Sequence, residues 1–226
     1  QLHPVARLHA GQGHLLVWTS SVSADGDDSA SSVQWRRLDA SGLFSLVERQ
    51  ANSVTQGPQY YPDVAALQGG GFALVWISDS ISAFAPDGEP SGDGIDLRYF
   101  AADGAPVATE TTISLDGGNV VRYPALSSGQ DGDLLASWTA QLDEVKVRRL
   151  GAGPNQAFGL ELRVDDFETA SEPNYPRAAI DGEGDIALVW ESYTDSPGGD
   201  DSDGSVQLRS FTPGRVGHWR FEEGGG

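Results

Sequence analysis

The sequence predicts an all-β fold, a β-propeller of four four-stranded antiparallel blades (or four blades of a larger propeller). Three observations predict it. First, four segments align without a gap: PVARLHAGQGHLLVW, PDVAALQGGGFALVW, PALSSGQDGDLLASW and PRAAIDGEGDIALVW. In each, a Trp (Trp18, Trp76, Trp138, Trp190) lies 14 residues after a Pro (Pro4, Pro62, Pro124, Pro176). Second, an alternating segment with Arg two residues before a large apolar residue follows each Trp: VQWRRL, IDLRYF, VKVRRL and VQLRSF. Third, apolar runs are of strand length and glycine-rich turns separate them. Repeats of about 50–60 residues built of short strands indicate a propeller or solenoid.

Each repeat reads as four strands. An inner strand starts at the Pro, and a Gly-rich turn leads to a second strand that ends in the Trp. The Arg-bearing segment alternates with period two, as a half-buried strand does. After a short turn (DASG, AADG, GAG, TPG) comes an outer strand: FSLVERQ, ATETTISL, LELRVDD and, in the last copy, HWRFEE. A four-stranded meander cannot bury both faces alone, so neighbours must stack around an axis. The four Trp are expected to pack between blades. The repeats run at about 3–60, 61–122, 123–174 and 175–226 and make one propeller domain over residues 1–226.

The spacing from each Arg to the next Pro is 26, 26 and 28 residues, and 21 from Arg209 through the C-terminus back to Pro4. That favours a ring closed by HWRFEE as the outer strand of the last blade. Closure would hide the sheet edges.

The chain has 226 residues, 33 acidic against 14 basic, and a net charge of −19. Such a surface repels nucleic acid and anionic membranes. It attracts divalent cations and basic partners. Cysteine and methionine are absent, so disulfides are excluded, and the chain reads as a processed product or an excised part of something longer. No apolar run is long enough to span a membrane.

The blade pattern resembles repeats of large secreted bacterial calcium-associated proteins of adhesin and haemolysin type. PDVAALQGGGFALVW and IDLRYFAADG carry the likeness, which covers all four repeats, the third in a worn form. The resemblance implies an extracellular location and a binding or adhesive role.

The distance from Trp to Arg is the one part that varies, at 18, 22, 10 and 19 residues. Constant scaffold with variable loops points to binding on the loops. Three of these loops are long and acidic. Calcium takes six to eight oxygen ligands, and Asp-Gly runs supply carboxylates beside sharply turned carbonyls. The candidate calcium ligands are Asp25, Asp27 and Asp28; Asp79, Asp87 and Asp93; and Asp195, Asp200, Asp201 and Asp203. The equivalent arginines Arg36, Arg98, Arg148 and Arg209 read either as an anion-binding ring or as struts between blades, and their repetition in every blade favours struts. The inner strands bring Arg7, Asp63, Ser127 and Arg177 to an axial channel, a set unsuited to a cation. Histidines occur at 3, 9, 14 and 218, near the termini.

No Cys nucleophile, Gly-x-Ser-x-Gly elbow or phosphate-binding glycine loop is present. The sequence therefore predicts a binding, adhesion or assembly module without catalysis. Its expected partners are a glycan, a protein or copies of itself. Two alternatives stand beside it: a structural subunit of an extracellular filament or surface layer, and a glycan-processing enzyme. An enzyme should show one asymmetric cluster of buried carboxylates with aromatic platforms, and a lectin should show similar pockets in every blade.

Overall fold

The structure, a computed structural model, describes residues 2–9, 13–21, 31–44, 47–79, 94–114, 120–130, 132–141, 144–165, 173–192 and 205–212. The first blade is β1 (Leu2–His9), β2 (Gly13–Ser20), β3 (Ser32–Leu38) and β4 (Arg49–Gln50). The second is β5 (Gln59–Ala66), β6 (Phe72–Ser78), β7 (Gly94–Phe100) and β8 (Thr111–Thr112). The third is β9 (Val121–Ser128), β10 (Leu134–Ala140), β11 (Glu144–Leu150) and β12 (Glu161–Arg163). The fourth is β13 (Pro173–Ile180), β14 (Ile186–Ser192) and β15 (Ser205–Phe211). Every sheet follows chain order and every pair is antiparallel, which makes each blade a meander. The outer strand expected at 218–223 lies outside the described residues.

The Pro at the start of each inner strand leaves the same mark four times. Four residues of the inner strand oppose three of its partner: Leu2 to Val5 against Thr19 to Val17, Tyr60 to Asp63 against Ile77 to Val75, Arg122 to Ala125 against Thr139 to Ser137, and Asn174 to Arg177 against Glu191 to Val189. This is a β-bulge, placed where a residue without an N–H interrupts the ladder. The residue before each Pro takes a left-handed backbone: His3, Tyr61, Tyr123 and Tyr175 have φ of 50°, 52°, 51° and 51°. Bulky residues rarely adopt this conformation, and it is strained at each site.

Side chains alternate along the strands, so each blade packs a different set against each neighbour. Leu15, Val17 and Val33 of the first blade meet Phe72, Leu74 and Trp76 of the second. Val75, Ile77 and Ile95 of the second meet Leu134, Ala136 and Trp138 of the third. Leu135, Val145 and Val147 of the third meet Leu188 and Trp190 of the fourth. Three of the four repeated Trp thus sit in interblade cores, as expected. Among the described residues no such core joins the fourth blade to the first. On that side Val206 is 75% exposed.

The repeated arginines are struts. Arg98 Nη1 donates to Ala51 O of the preceding blade at 2.6 Å, and its Nε to Ala108 O at 3.1 Å. Arg148 donates to Ile113 O of the second blade and, from Nε, to Gly159 O at 2.9 Å. Arg209 reaches Val164 O of the third blade. The accepting residues Ala51, Ile113 and Val164 are equivalent, each donating its own N–H to β3, β7 or β11. Arg36 of the first blade instead lies 3.7 Å above the Phe44 ring. The anion-ring alternative gives way, since these guanidiniums are spent on backbone carbonyls. A second device repeats with them. The residue after each accepting position (Asn52, Ser114, Asp165) takes the N–H of Val33, Ile95 or Val145 on its side-chain oxygen.

Between the first two blades the fully buried Trp35 meets Phe72 edge-on at 4.8 Å, and Phe72 stacks on Phe100 at 4.9 Å. Gly104 closes this cluster. Its φ is +81°, and a Cβ there would stand 2.4 Å from Cη2 of Trp35. Gly104→Ala combines backbone strain with overpacking and is expected to cost about 2–4 kcal/mol, read as a lower urea midpoint at unchanged slope.

Candidate functional site

The four inner strands lie side by side about the axis, β1 beside β5, β5 beside β9 and β9 beside β13. They enclose a cavity of about 290 Å³ whose polar lining includes Arg7, Asp63, Ser127 and Arg177. That volume is at the lower end for small-ligand sites and suits one sugar ring.

Asp63 follows the Pro of β5, where the bulge turns its carboxylate toward the axis. It is 2% exposed. Oδ1 accepts from Arg7 Nη2 at 3.0 Å and from the Val64 N–H at 2.8 Å. Oδ2 accepts from the Leu126 N–H at 3.0 Å and from Arg7 Nη2 at 3.3 Å. One carboxylate therefore ties the inner strands of three blades together. Burial pushes its pKa above the ordinary value of 3.8, while Arg7, the two N–H groups and Arg177 pull back toward ionisation. The carboxylate is thus buried, with an upward push from desolvation set against the pull of two guanidiniums and two N–H groups.

Two groups of the lining remain uncommitted. Arg177 is exposed, donates to Pro176 O at 2.9 Å, and makes no ion pair among the described residues. The Ser127 hydroxyl oxygen is buried and has no hydrogen-bond partner.

Four aromatic rings mark the end of the axis where the inner strands begin. His3 stands 3.7 Å from Tyr61, Tyr61 5.5 Å from Tyr123, and Tyr123 4.2 Å from Tyr175, measured between ring centroids. These are the residues held in the left-handed bulge. Tyr175 is 44% exposed and Tyr123 is buried. The ends of the second strands come to the same face, since Leu2 pairs with Thr19, Gln59 with Ser78 and Pro173 with Ser192. The three long acidic connections therefore leave from the face that carries the aromatic collar. The collar is missed by reading the loops alone, although its signal is in the repeat: an aromatic ring precedes every one of the four Pro.

Of the ten aspartates expected to bind calcium, Asp25, Asp27, Asp28, Asp87, Asp93, Asp195, Asp200, Asp201 and Asp203 lie outside the described residues. Asp79 is described. It is 1% exposed, its carboxylate accepts from Tyr60 Oη at 3.2 Å, and its N–H donates to Pro58 O at 3.1 Å. Among the described residues no group of three or more His, Asp or Glu side chains could hold a metal ion. His3 belongs to the collar, and His14 is exposed on β2. No described helix is long and apolar enough to cross a membrane.

No protein-family model matches the chain, and no curated protein is similar to it in sequence. Solved structures are similar to it in fold. The chain aligns with the α-L-arabinanase of Penicillium chrysogenum complexed with arabinobiose at a TM-score of 0.62 and 16% identity, over 93% of this chain and 62% of that one. It aligns with a thermostable family-43 glycoside hydrolase at 0.55 and 12% identity, over 98% and 76%. With the xylan β-1,4-xylosidase of Bacillus halodurans the values are 0.53 and 17%, over 98% and 43%. The chain thus spans less than two thirds of the arabinanase and the xylosidase. At these identities the likeness establishes the propeller fold. It also corrects the expectation of a module without catalysis, because these structural neighbours are glycan-cleaving enzymes.

Proposed function

We propose that this chain is a glycan-processing enzyme that works at the axial cavity, with Asp63 as its proton-transfer group. The observation that carries the reading is the asymmetry of Asp63. The Trp, the interblade arginines and the bulges recur from blade to blade and serve the fold. Asp63 occurs in one blade only, is buried, and lines the axial cavity. The similarity in fold to arabinanase and xylosidase propellers supports the same reading. A polymeric glycan is met outside the cell, which suits an extracellular location. Calcium held in the acidic connections would order the face over which such a polymer lies.

The test is chain shortening of arabinan, xylan, β-1,3-galactan and acidic plant and algal polysaccharides, followed by size-exclusion chromatography. At least one should be shortened, and Asp63→Asn should lower the rate by about 10²–10⁴-fold. If no glycan is shortened, or the variant keeps full activity, the reading is wrong. The same variant reports on burial of the charge. With a folded-state pKa above 3.8, Asp63 contributes stability below that value and loses it as pH rises through the folded value. The stability of the unmodified chain relative to Asp63→Asn should therefore fall as pH rises above 3.8, as followed by urea midpoints.

A further inference from the structure

The charge of the axial cavity is opposite in sign to that of the protein. The chain carries −19 overall, yet the cavity is lined by two guanidiniums and one carboxylate. Arg7 already neutralises Asp63 at 3.0 Å. Arg177 is left as a surplus cation. The Ser127 oxygen, on the same lining, is a buried hydroxyl without a partner. A surplus guanidinium matches the forked geometry of a carboxylate or sulfate. Neutral sugar hydroxyls would leave the charge of Arg177 without use.

We infer that the axial cavity takes an acidic sugar unit, its carboxylate or sulfate held by Arg177 with Arg7 at the flank. The inference rests on the axial cavity being the glycan site, and it names the substrate class of that site. It also accounts for Asp63 being paired. A free carboxylate would repel the anionic sugar, whereas one bridged to Arg7 and two backbone N–H groups does not. Because Arg177 is exposed and the Arg7 side chain is 42% exposed, a charged unit can reach both without opening the fold.

The experiment is calorimetric titration of the whole chain with three oligosaccharides of equal length: an oligogalacturonate, a sulfated galactan fragment and a neutral xylan fragment. At least one acidic ligand should bind roughly tenfold or more tightly than the neutral one. That preference should weaken with added salt. Arg177→Gln should remove it at an unchanged melting temperature, and Arg177→Lys should restore part of it. The oligogalacturonate and sulfated arms decide between carboxylate and sulfate. Equal binding of acidic and neutral ligands overturns the inference, as does an undiminished preference in Arg177→Gln. The two proposals fail separately. If neutral glycans are shortened while acidic ones are ignored, the enzyme reading stands and this one falls. If acidic ligands bind through Arg177 but no glycan is shortened, this one stands and the enzyme reading falls.

Discussion

Trp138→Ala is expected to destabilise the protein by about 3–5 kcal/mol, the usual cost of emptying a fully buried aromatic site. Trp138 is completely buried in the core between the second and third blades, among Val75, Ile77 and Ile95. The polypeptide tether on each side keeps those blades in place, so the site cannot collapse to refill the space. For a domain of this size the loss corresponds to a fall in melting temperature of roughly 6–20 °C. Trp18, its equivalent in the first blade, is 9% exposed and belongs to none of the interblade cores. It lies on the face turned away from Leu15 and Val17, the residues that meet the second blade. Trp18→Ala is therefore expected to cost less, about 1–2 kcal/mol. Urea denaturation of the two variants makes the comparison, and equal losses would contradict the arrangement of blades described above.

The second large effect is expected from Arg148. Its guanidinium joins Ile113 O of the second blade to Gly159 O of the third. Arg148→Met keeps the apolar stem and removes the donors, so the loss is that of the hydrogen bonds and of two carbonyls left without them. About 2–3 kcal/mol is expected, because bonds from a charged donor are worth more than neutral ones. Arg148→Lys should recover only part, since an ammonium cannot span two carbonyls as a planar fork does. Arg36→Met, at the equivalent place in the first blade, replaces a guanidinium that lies over the exposed Phe44 ring. It should cost under about 1 kcal/mol. A large loss at Arg36 would show that its guanidinium also bridges blades.

The repeat is legible in the sequence because each of its landmarks has a local cause. Trp must end the second strand to reach the neighbouring blade, and Arg must sit on the third to reach its carbonyl. In each strand pair the Arg lies two residues past the partner of the Trp, whatever the length of the connection between them. Pro marks the bulge because it has no N–H to give. The candidate site is legible only in part. Arg7, Asp63, Ser127 and Arg177 can be placed at an axis by alignment of the repeats alone. What makes them chemical depends on groups far apart in the chain. Arg7 lies 56 residues from its carboxylate partner, and the Leu126 N–H that fixes Asp63 lies 63 residues from it. The idle hydroxyl of Ser127 is visible only once its surroundings are packed. Reading variation as function directed attention to the acidic connections. The axial residues stand singly in the inner strands, and nothing in their local sequence separates them from scaffold.

The interblade struts carry a consequence for how such a chain can change. Every strut and Trp contact described as joining blades runs from one blade to the blade beside it, so no such residue of a middle blade encodes its ordinal place. A duplicated copy of the second blade set between the second and third would find the Ile113-type carbonyl waiting on one side and an Arg148-type guanidinium on the other. The blade is thus the unit in which this protein can grow or shrink, and the number of blades is open to change by recombination at the strand-free joints. The axial lining is the exception. Asp63 belongs to one blade while Arg7, Ser127 and Arg177 come from the other three, so a change in blade number would preserve the fold and dismantle the site.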